Sequence, residues 1–273
     1  MTRSLHGVST WHGNVVTQIR LAAETGFDAV ELLPEHLLRY LNHGGSIEKL
    51  KALMKKYSIT ISCINALKRI GRHHPEEKQQ LLVEAKRICE IAYALDCPVV
   101  QIMTIGEIDD LDQSVQTDIL AENIAMIADI GRPMELKFQI ELVAFTSFKS
   151  LPQALSIIER TGANNVGVVI DFWHLHAGGV TSPNQVAQFD KNLIYGIHLC
   201  DGRAAHPGEA WVEPILRDYD VGEGDVDVDA WVRAVKATGY DGVWSCEQLS
   251  PKHWERDLAE IAKADYETLD RYM

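Results

Sequence analysis

Short apolar runs alternate along the chain with longer stretches in which apolar residues recur at helical spacing. The apolar runs predict eight buried strands, at residues 4–10, 29–33, 59–65, 99–104, 138–143, 166–171, 194–199 and 243–247. The stretches with helical period predict helices at residues 15–25, 47–56, 76–95, 115–129, 151–161, 184–189, 230–238 and 254–272. The chain therefore reads as a repeated unit of one strand followed by one helix.

Glycines mark the ends of several predicted helices. Gly26, Gly162 and Gly239 each follow a helical stretch and precede the next strand by a few residues, as expected for a helix C-terminus and a short loop. Eight such units predict a (β/α)8 TIM barrel of the α/β class, formed as a single domain by residues 1–273. The alternative, a doubly wound open sheet, loses its main support because no G-x-G-x-x-G motif follows the first strand.

Charge and cysteine content narrow the classes of partner. The net charge is −13, so the protein repels phosphate backbones and anionic membrane surfaces, and neither a nucleic acid nor a membrane is an expected partner. The five cysteines are odd in number and form no C-x-x-C pair. No apolar segment has the length of a signal peptide core or a membrane span. These features predict a cytoplasmic protein with reduced thiols.

Four consecutive predicted strands end in an ionisable side chain, in the segments FQIELV (Glu141), VVIDFWH (Asp171), YGIHLCDG (His198) and VWSCEQLS (Glu247). The C-terminal ends of barrel strands form the catalytic mouth, and alternate residues face the interior, so these side chains are expected to converge. Three crowded carboxylates repel one another unless a cation lies among them. Together with the imidazole they predict one divalent metal ion, with Mn²⁺ favoured and Zn²⁺, Co²⁺ and Mg²⁺ as alternatives.

Five further residues are candidates for substrate binding, each with a structural alternative. His174 follows the sixth strand and either contacts or protonates a substrate oxygen or is a satisfied loop histidine. Arg203 either fixes a substrate hydroxyl or pairs with a neighbouring aspartate. Asn65 and Lys68, near the mouth end of the third strand, either line the pocket or belong to the scaffold. Trp254 either forms a pocket wall or packs in the core. Outside these five, Glu31 at the end of the second strand also either lines the pocket or belongs to the scaffold.

These motifs resemble those of the xylose-isomerase-like barrels of the sugar phosphate isomerase and epimerase group. The resemblance covers nearly the whole chain and is carried by TGFDAVELL, INAL, IELVAF, NVGVVIDFWHLHAGG, IYGIHLCDG and GEGDVDVDAWVRAVKATGYDGVWSCEQLS. Within that family they look most like the motifs of inosose (2-keto-myo-inositol) isomerases. The resemblance implies that the four strand-end residues are metal ligands and that Glu141 and Glu247 move protons on opposite faces of a bound ketose. It also implies that His174 contacts the substrate, and Arg203 falls near the family's substrate arginine.

The implied function is that of a divalent-metal-dependent isomerase or epimerase, acting through an enediolate on an unphosphorylated ketose or an inosose-like keto-polyol. The substrate is expected to lack phosphate because the later loops hold no Arg/Lys cluster or glycine cradle. Two alternatives stay open: a metal-dependent dehydratase of the 2-keto-inositol or 3-dehydroshikimate type, and a non-catalytic sugar-binding barrel. Apurinic endonucleases share this barrel but carry additional histidines on the third and fourth strands. This chain reads ISCINAL and VVQIMT there, without histidine, so an endonuclease site is not expected. Association into a homo-oligomer is also left open.

Overall fold

A closed barrel of eight parallel strands forms the centre of the molecule. The computed structural model describes residues 1–273. The strands are β1 (Thr2–His6), β2 (Ala29–Leu32), β3 (Thr60–Lys68), β4 (Val99–Met103), β5 (Lys137–Glu141), β6 (Val166–Asp171), β7 (Ile194–Leu199) and β8 (Val243–Cys246). Each strand pairs with the next along the chain, and β1 closes the barrel against β8, with Leu5 opposite Cys246. The predicted (β/α)8 barrel is confirmed.

Twelve helices connect the strands and surround the barrel. They are α1 (Val15–Thr25), α2 (Pro34–Asn42), α3 (Ile47–Tyr57), α4 (Pro75–Ala94), α5 (Gln113–Gly131), α6 (Leu151–Thr161), α7 (Phe172–Gly178), α8 (Pro183–Ala187), α9 (Glu213–Leu216), α10 (Val228–Thr238), α11 (Pro251–Trp254) and α12 (Leu258–Tyr272). None of them combines the length and the apolar character that crossing a bilayer requires.

Local sequence explains where the main helices begin and end. Asn14 caps α1 by accepting a hydrogen bond from the Thr17 N–H, and Gly26 ends the same helix with a φ of +104°. Asp227 caps α10 in the same way as Asn14 caps α1. Side-chain caps satisfy N–H groups that a helix N-terminus leaves free, and glycine adopts the left-handed conformation at low cost.

The structure differs from the sequence pattern mainly in short helices after the strands. The first strand ends at His6, so the predicted continuation to residue 10 is wrong, and β3 runs on to Lys68. Helices α2, α7, α9 and α11 were not predicted. Each has nine residues or fewer, which is too short for helical periodicity to show. Helix α7 starts directly at the end of β6, where Asp171 is both the last strand residue and the helix cap.

The interior of the barrel contains a chain of buried amides below the mouth. Gln139 Nε2 donates to Gln101 Oε1, and Gln101 Nε2 donates to Asn65 Oδ1 at 2.9 Å. The Asn65 amide then reaches His6, with Nδ2 at 3.0 Å from the imidazole Nε2. Buried polar groups need such partners, and here the row of hydrogen-bonded amides leads from the centre of the barrel to the mouth.

Candidate metal centre and substrate cavity

Four acidic and imidazole side chains from consecutive strands meet at the mouth of the barrel: Glu141 of β5, Asp171 of β6, His198 of β7 and Glu247 directly after β8. One donor atom of each lies within 4.8 Å of the donor atoms of the other three. All four side chains are buried. Burying three carboxylates together is costly unless positive charge lies among them, so the arrangement calls for a cation.

Two buried atoms of this cluster have no hydrogen-bond partner, His198 Nδ1 and Asp171 Oδ2. His198 Nδ1 lies 3.6 Å from Glu141 Oε1, 3.7 Å from Asp171 Oδ2 and 3.5 Å from Glu247 Oε2. The other oxygen of Asp171 is already used, because it accepts the His174 N–H at 2.7 Å. Orphaned buried donors aimed at one point are what a metal site requires. The residues therefore fit one divalent ion.

Glu31, at the end of β2, orients the imidazole of His198 from the opposite side. Its Oε1 lies 3.3 Å from His198 Nε2, while Ser245 Oγ donates to its Oε2 at 3.1 Å. Burial alone would raise the pKa of Glu31, but His6 and His198 lower it to about 2. A ligating histidine commonly gives its second N–H to a carboxylate in this way, which leaves the other nitrogen free for the metal.

The charge on His198 depends on the surrounding carboxylates. Burial favours its neutral ring, but Glu31 and Glu247 raise its pKa well above 6.5. In the absence of a metal ion the surrounding carboxylates therefore favour the protonated imidazole. That proton must leave before Nδ1 can bind an ion.

The two glutamates of the cluster have different surroundings. Burial raises the pKa of Glu141. Burial would do the same to Glu247, but Arg217 and His198 hold the pKa of Glu247 well below its usual range. Arg217 Nη2 donates to Glu247 Oε2 at 2.9 Å and to its backbone carbonyl at 3.0 Å. The Arg217 guanidinium is itself buried, so Glu247 is kept ionised by a fixed neighbouring charge.

A cavity of about 300 Å³ opens above the cluster. Its polar floor is formed by His6, Asn65, Glu141, His174, Glu213, Arg217 and Glu247, and its apolar wall by Val8, Trp11, Leu33, Met103, Ile105, Phe145 and Leu249. Only two members of the four-residue cluster line the cavity, Glu141 and Glu247. Asp171 and His198 lie behind them. A small polar molecule in the cavity would therefore meet the two glutamates first.

Comparison with known proteins places this site in a family. Residues 19–272 match the family described as Xylose isomerase-like TIM barrel. The chain belongs to this family. It is 24% identical over 271 residues to an inosose isomerase of Halalkalibacterium halodurans, covering 94% of this chain and 90% of that protein.

A solved structure of the IolI protein with a bound zinc atom superposes with a TM-score of 0.92 at 22% identity, covering 100% of this chain and 99% of that one. The chain is also 23% identical over 249 residues to a 3-dehydroshikimate dehydratase of Pseudomonas aeruginosa, which covers 90% of this chain but 38% of that protein. The relatives of this chain are thus named for two different reactions.

Three of the five candidate substrate residues line the cavity. His174 lies on α7 rather than in a loop; its Nδ1 accepts the Ala144 N–H at 3.2 Å, so a neutral ring carries its proton on Nε2. Asn65 is part of the buried amide chain. Lys68 stands at the cavity edge, with Nζ at 2.9 Å from Glu35 Oε1.

Arg203 and Trp254 do not line the cavity. The Arg203 guanidinium makes two hydrogen bonds to Glu209, at 2.7 and 2.6 Å, so its partner is neither a pocket group nor the neighbouring aspartate. The arginine that does reach the cavity is Arg217. Trp254 supports the wall from behind, because its Nε1 donates to the Val8 carbonyl at 2.7 Å and its ring stacks on Trp11.

Sequence reasoning missed three polar residues of the site: His6, Glu213 and Arg217. Glu31 was expected to line the pocket or to belong to the scaffold, and the structure places it against His198 Nε2, outside the cavity lining. His6 stands at the end of β1, but the first strand was predicted to run on to residue 10, so the strand-end signal did not apply to His6. Glu213 and Arg217 bracket the short helix α9 in the long loop after β7, where no periodicity marks them.

Proposed function

We propose that the protein is a divalent-metal-dependent isomerase or epimerase of an unphosphorylated keto-polyol, with an inosose as the first substrate to test. One observation carries the proposal: of the four converging ligands, only Glu141 and Glu247 line the cavity. These two carboxylates can reach both the ion and a substrate carbon. The similarity to inosose isomerases over nearly the full length of the chain supports this substrate class.

Glu141, Asp171, His198 and Glu247 would hold the ion. An ion bound there supplies a Lewis acid, which lowers the pKa of the C–H bond next to the substrate carbonyl. One nitrogen and three oxygen donors suit Mn²⁺ and Zn²⁺. The donor set keeps Mn²⁺ as the first expectation, while the zinc of the similar IolI protein supports Zn²⁺. Metal analysis of protein purified without added metal decides between them.

The side chains of the cavity divide the remaining work. One of the two glutamates removes the proton from the carbon beside the carbonyl. Return of a proton to the former carbonyl carbon, together with transfer of the adjacent hydroxyl proton to the former carbonyl oxygen, gives an isomer. Return of a proton to the opposite face of the same carbon gives an epimer. His174 donates its Nε2–H to a substrate oxygen. Arg217 keeps Glu247 ionised, through the hydrogen bond of 2.9 Å to Oε2.

The direct test is transfer of solvent deuterium to the substrate. Metal-loaded protein is incubated in D₂O with a panel of inososes and ketohexoses, and the products are followed by ¹H NMR. We expect loss of the signal of the hydrogen next to the carbonyl and the appearance of a new isomer. Metal-bound protein that neither exchanges deuterium nor forms an isomer with any substrate of the panel would refute the proposal.

A glutamine substitution separates the role of Glu247 from general damage. Glu247→Gln is expected to reduce turnover by roughly 10² or more, because general acid–base catalysis contributes that much. Glu209→Gln is the matched control, since Glu209 pairs with Arg203 outside the cavity. Activity of Glu247→Gln close to that of Glu209→Gln would contradict the assignment.

The second candidate function is that of a dehydratase, favoured by the similarity to 3-dehydroshikimate dehydratase. Proton removal beside the carbonyl would be the same, but the substrate would then expel its β-hydroxyl group, which takes up a proton and leaves as water. Loss of water adds a double bond conjugated with the carbonyl group. New ultraviolet absorbance on addition of 3-dehydroshikimate or 2-keto-inositol would favour this reaction over isomerisation.

A further inference from the structure

The proposed reaction assigns no role to His6, a buried histidine of the site. It stands at the end of β1, is 1% exposed and lines the cavity floor. Its Nδ1 accepts the backbone N–H of Val8 at 3.1 Å. Because a backbone N–H can only donate, Nδ1 carries no proton, and a neutral ring then has its proton on Nε2.

The Nε2 atom of His6 lies close to one particular oxygen of Glu247. Nε2 lies 3.3 Å from Glu247 Oε1 and 3.6 Å from Glu31 Oε1. The Asn65 amide nitrogen is 3.0 Å from the same atom. Asn65 can offer its oxygen if Gln101 and Gln139 turn with it, because each amide of the chain then exchanges its donor and acceptor atoms. The Val8 N–H cannot become an acceptor, so Val8 decides the tautomer.

The two oxygens of Glu247 therefore face different partners. Oε2 accepts from Arg217 and is the oxygen 3.5 Å from His198 Nδ1, on the side of the metal ligands. Oε1 points toward His6. The terminal torsion of a glutamate is soft, so a hydrogen bond on each oxygen is what fixes the plane of the carboxylate.

We propose that His6 is a positioning residue, whose Nε2–H holds Glu247 Oε1 in the orientation from which it exchanges a proton with the substrate carbon. This inference rests on the proposed function of Glu247. His6 acts through Glu247 and contributes no ligand to the ion. A misplacement of a reacting group by about 1 Å can cost 10²-fold in rate, which is the scale of effect expected.

A second metal ion among His6, Glu31 and His198 is the competing interpretation, since donor atoms of these residues also lie within 4.8 Å of one another. The hydrogen bonds argue against it. Val8 leaves the proton of His6 on Nε2, and His198 directs its Nε2 to Glu31 at 3.3 Å while Nδ1 faces the ligand cluster. A protonated imidazole nitrogen cannot bind a metal, so Glu31 serves as a hydrogen-bond acceptor.

Two substitutions of His6 test the inference. His6→Phe fills the space without a donor, and His6→Gln restores an N–H near the position of Nε2. We expect kcat of the metal-loaded His6→Phe variant to fall by roughly 10 to 10²-fold with little change in KM, and His6→Gln to recover most of it. Both variants should hold the same metal content as the wild type. Unchanged kcat in His6→Phe, loss of metal, or failure of His6→Gln to recover activity would each overturn the inference.

A measurement that needs no turnover tests the tautomer directly. Imidazole ¹H–¹⁵N NMR of the zinc-loaded protein should show His6 with one proton, on Nε2, and that signal should shift in Glu247→Gln. A proton on Nδ1, or no response to Glu247→Gln, would overturn the inference whatever the reaction is. If wild-type protein exchanges no deuterium with any substrate, the proposed function fails independently of this inference. The tautomer of His6 then still decides whether His6 holds Glu247.

Discussion

Replacement of Arg217 by methionine perturbs the charge balance of the site most directly. The Arg217 guanidinium is buried and donates to Glu247 Oε2 and Glu213 Oε1, both at 2.9 Å, and lies 3.8 Å from Asp171 Oδ2. Methionine preserves much of the packing against Trp173, whose ring centroid is 5.2 Å from the guanidinium carbon. The substitution therefore removes the positive charge and leaves the carboxylates in place.

The size of the effect follows from the burial of the pair. Removing one partner of a buried ion pair costs about 3–5 kcal/mol, because the other charge stays buried without compensation. Unfolding entropy of roughly 2.1 cal/mol/K per residue gives about 0.57 kcal/mol/K for 273 residues, so the melting temperature should fall by roughly 5–9 °C. A bound divalent ion offsets part of the same negative charge. The loss should therefore be larger in metal-free protein than in metal-loaded protein.

Thermal unfolding at neutral pH, with and without metal, measures this loss. Arg203→Met is the matched control, since Arg203 lies in the same loop but pairs with Glu209 near the surface, where ion pairs contribute little. The Arg217 effect should also shrink in acid. Arg217 lowers the pKa of Glu247, so the stabilisation from this pair is present above the ordinary pKa of 4.5 and is lost as pH falls through the lower folded value. Equal melting temperatures for the two variants in metal-free protein would refute the reasoning.

Three further predictions concern single ionisable groups. Glu31 and Glu247 raise the pKa of His198 above 6.5, so metal binding at pH 7 should release about one proton from this imidazole. Calorimetric heats of metal binding should then vary with the ionisation enthalpy of the buffer, and buffer-independent heats would contradict this. Glu141→Gln should lower deuterium exchange into the substrate by roughly 10² or more, and exchange at the wild-type rate would remove Glu141 from the reaction. Burial raises the pKa of Asp265 from 3.8 to about 7, and its Oδ2 has no hydrogen-bond partner, so ionisation opposes folding as pH rises. Wild-type stability should fall by roughly 3 kcal/mol between pH 5 and 8 on this account, and urea unfolding of Asp265→Asn should show a smaller fall.

The cluster of Glu141, Asp171, His198 and Glu247 was accessible from the sequence because its geometry is local. Side chains alternate along a strand, and parallel strands of a barrel present their C-terminal ends at one mouth. A polar residue at the end of an apolar run, such as Glu141 or His198, therefore has little freedom in where it points. The same rule made Glu31 a pocket candidate at the end of the second strand. It did not reach His6, because the apolar run of the first strand continues to residue 10 although β1 ends at His6.

The loop residues were not accessible in this way. Arg203 and Arg217 both follow β7, and nothing in their immediate sequence tells which one turns inward. The decision is made by the path of the loop, in which Asp201 accepts the N–H groups of Gly222 and Gly224 at 2.8 and 3.0 Å. Along this path α9, and with it Arg217, lies over the mouth of the barrel.

The sequence by itself determined the barrel, the order of its strands and the side chains at the strand ends, because hydrophobic periodicity and parallel topology act through near neighbours. The tertiary structure alone decided which atoms face which: that β1 closes on β8 and brings His6 to Glu247, and that Arg217 neutralises that carboxylate. Such pairings join residues 30 to 241 positions apart in the chain, and only the folded barrel sets the distance between them.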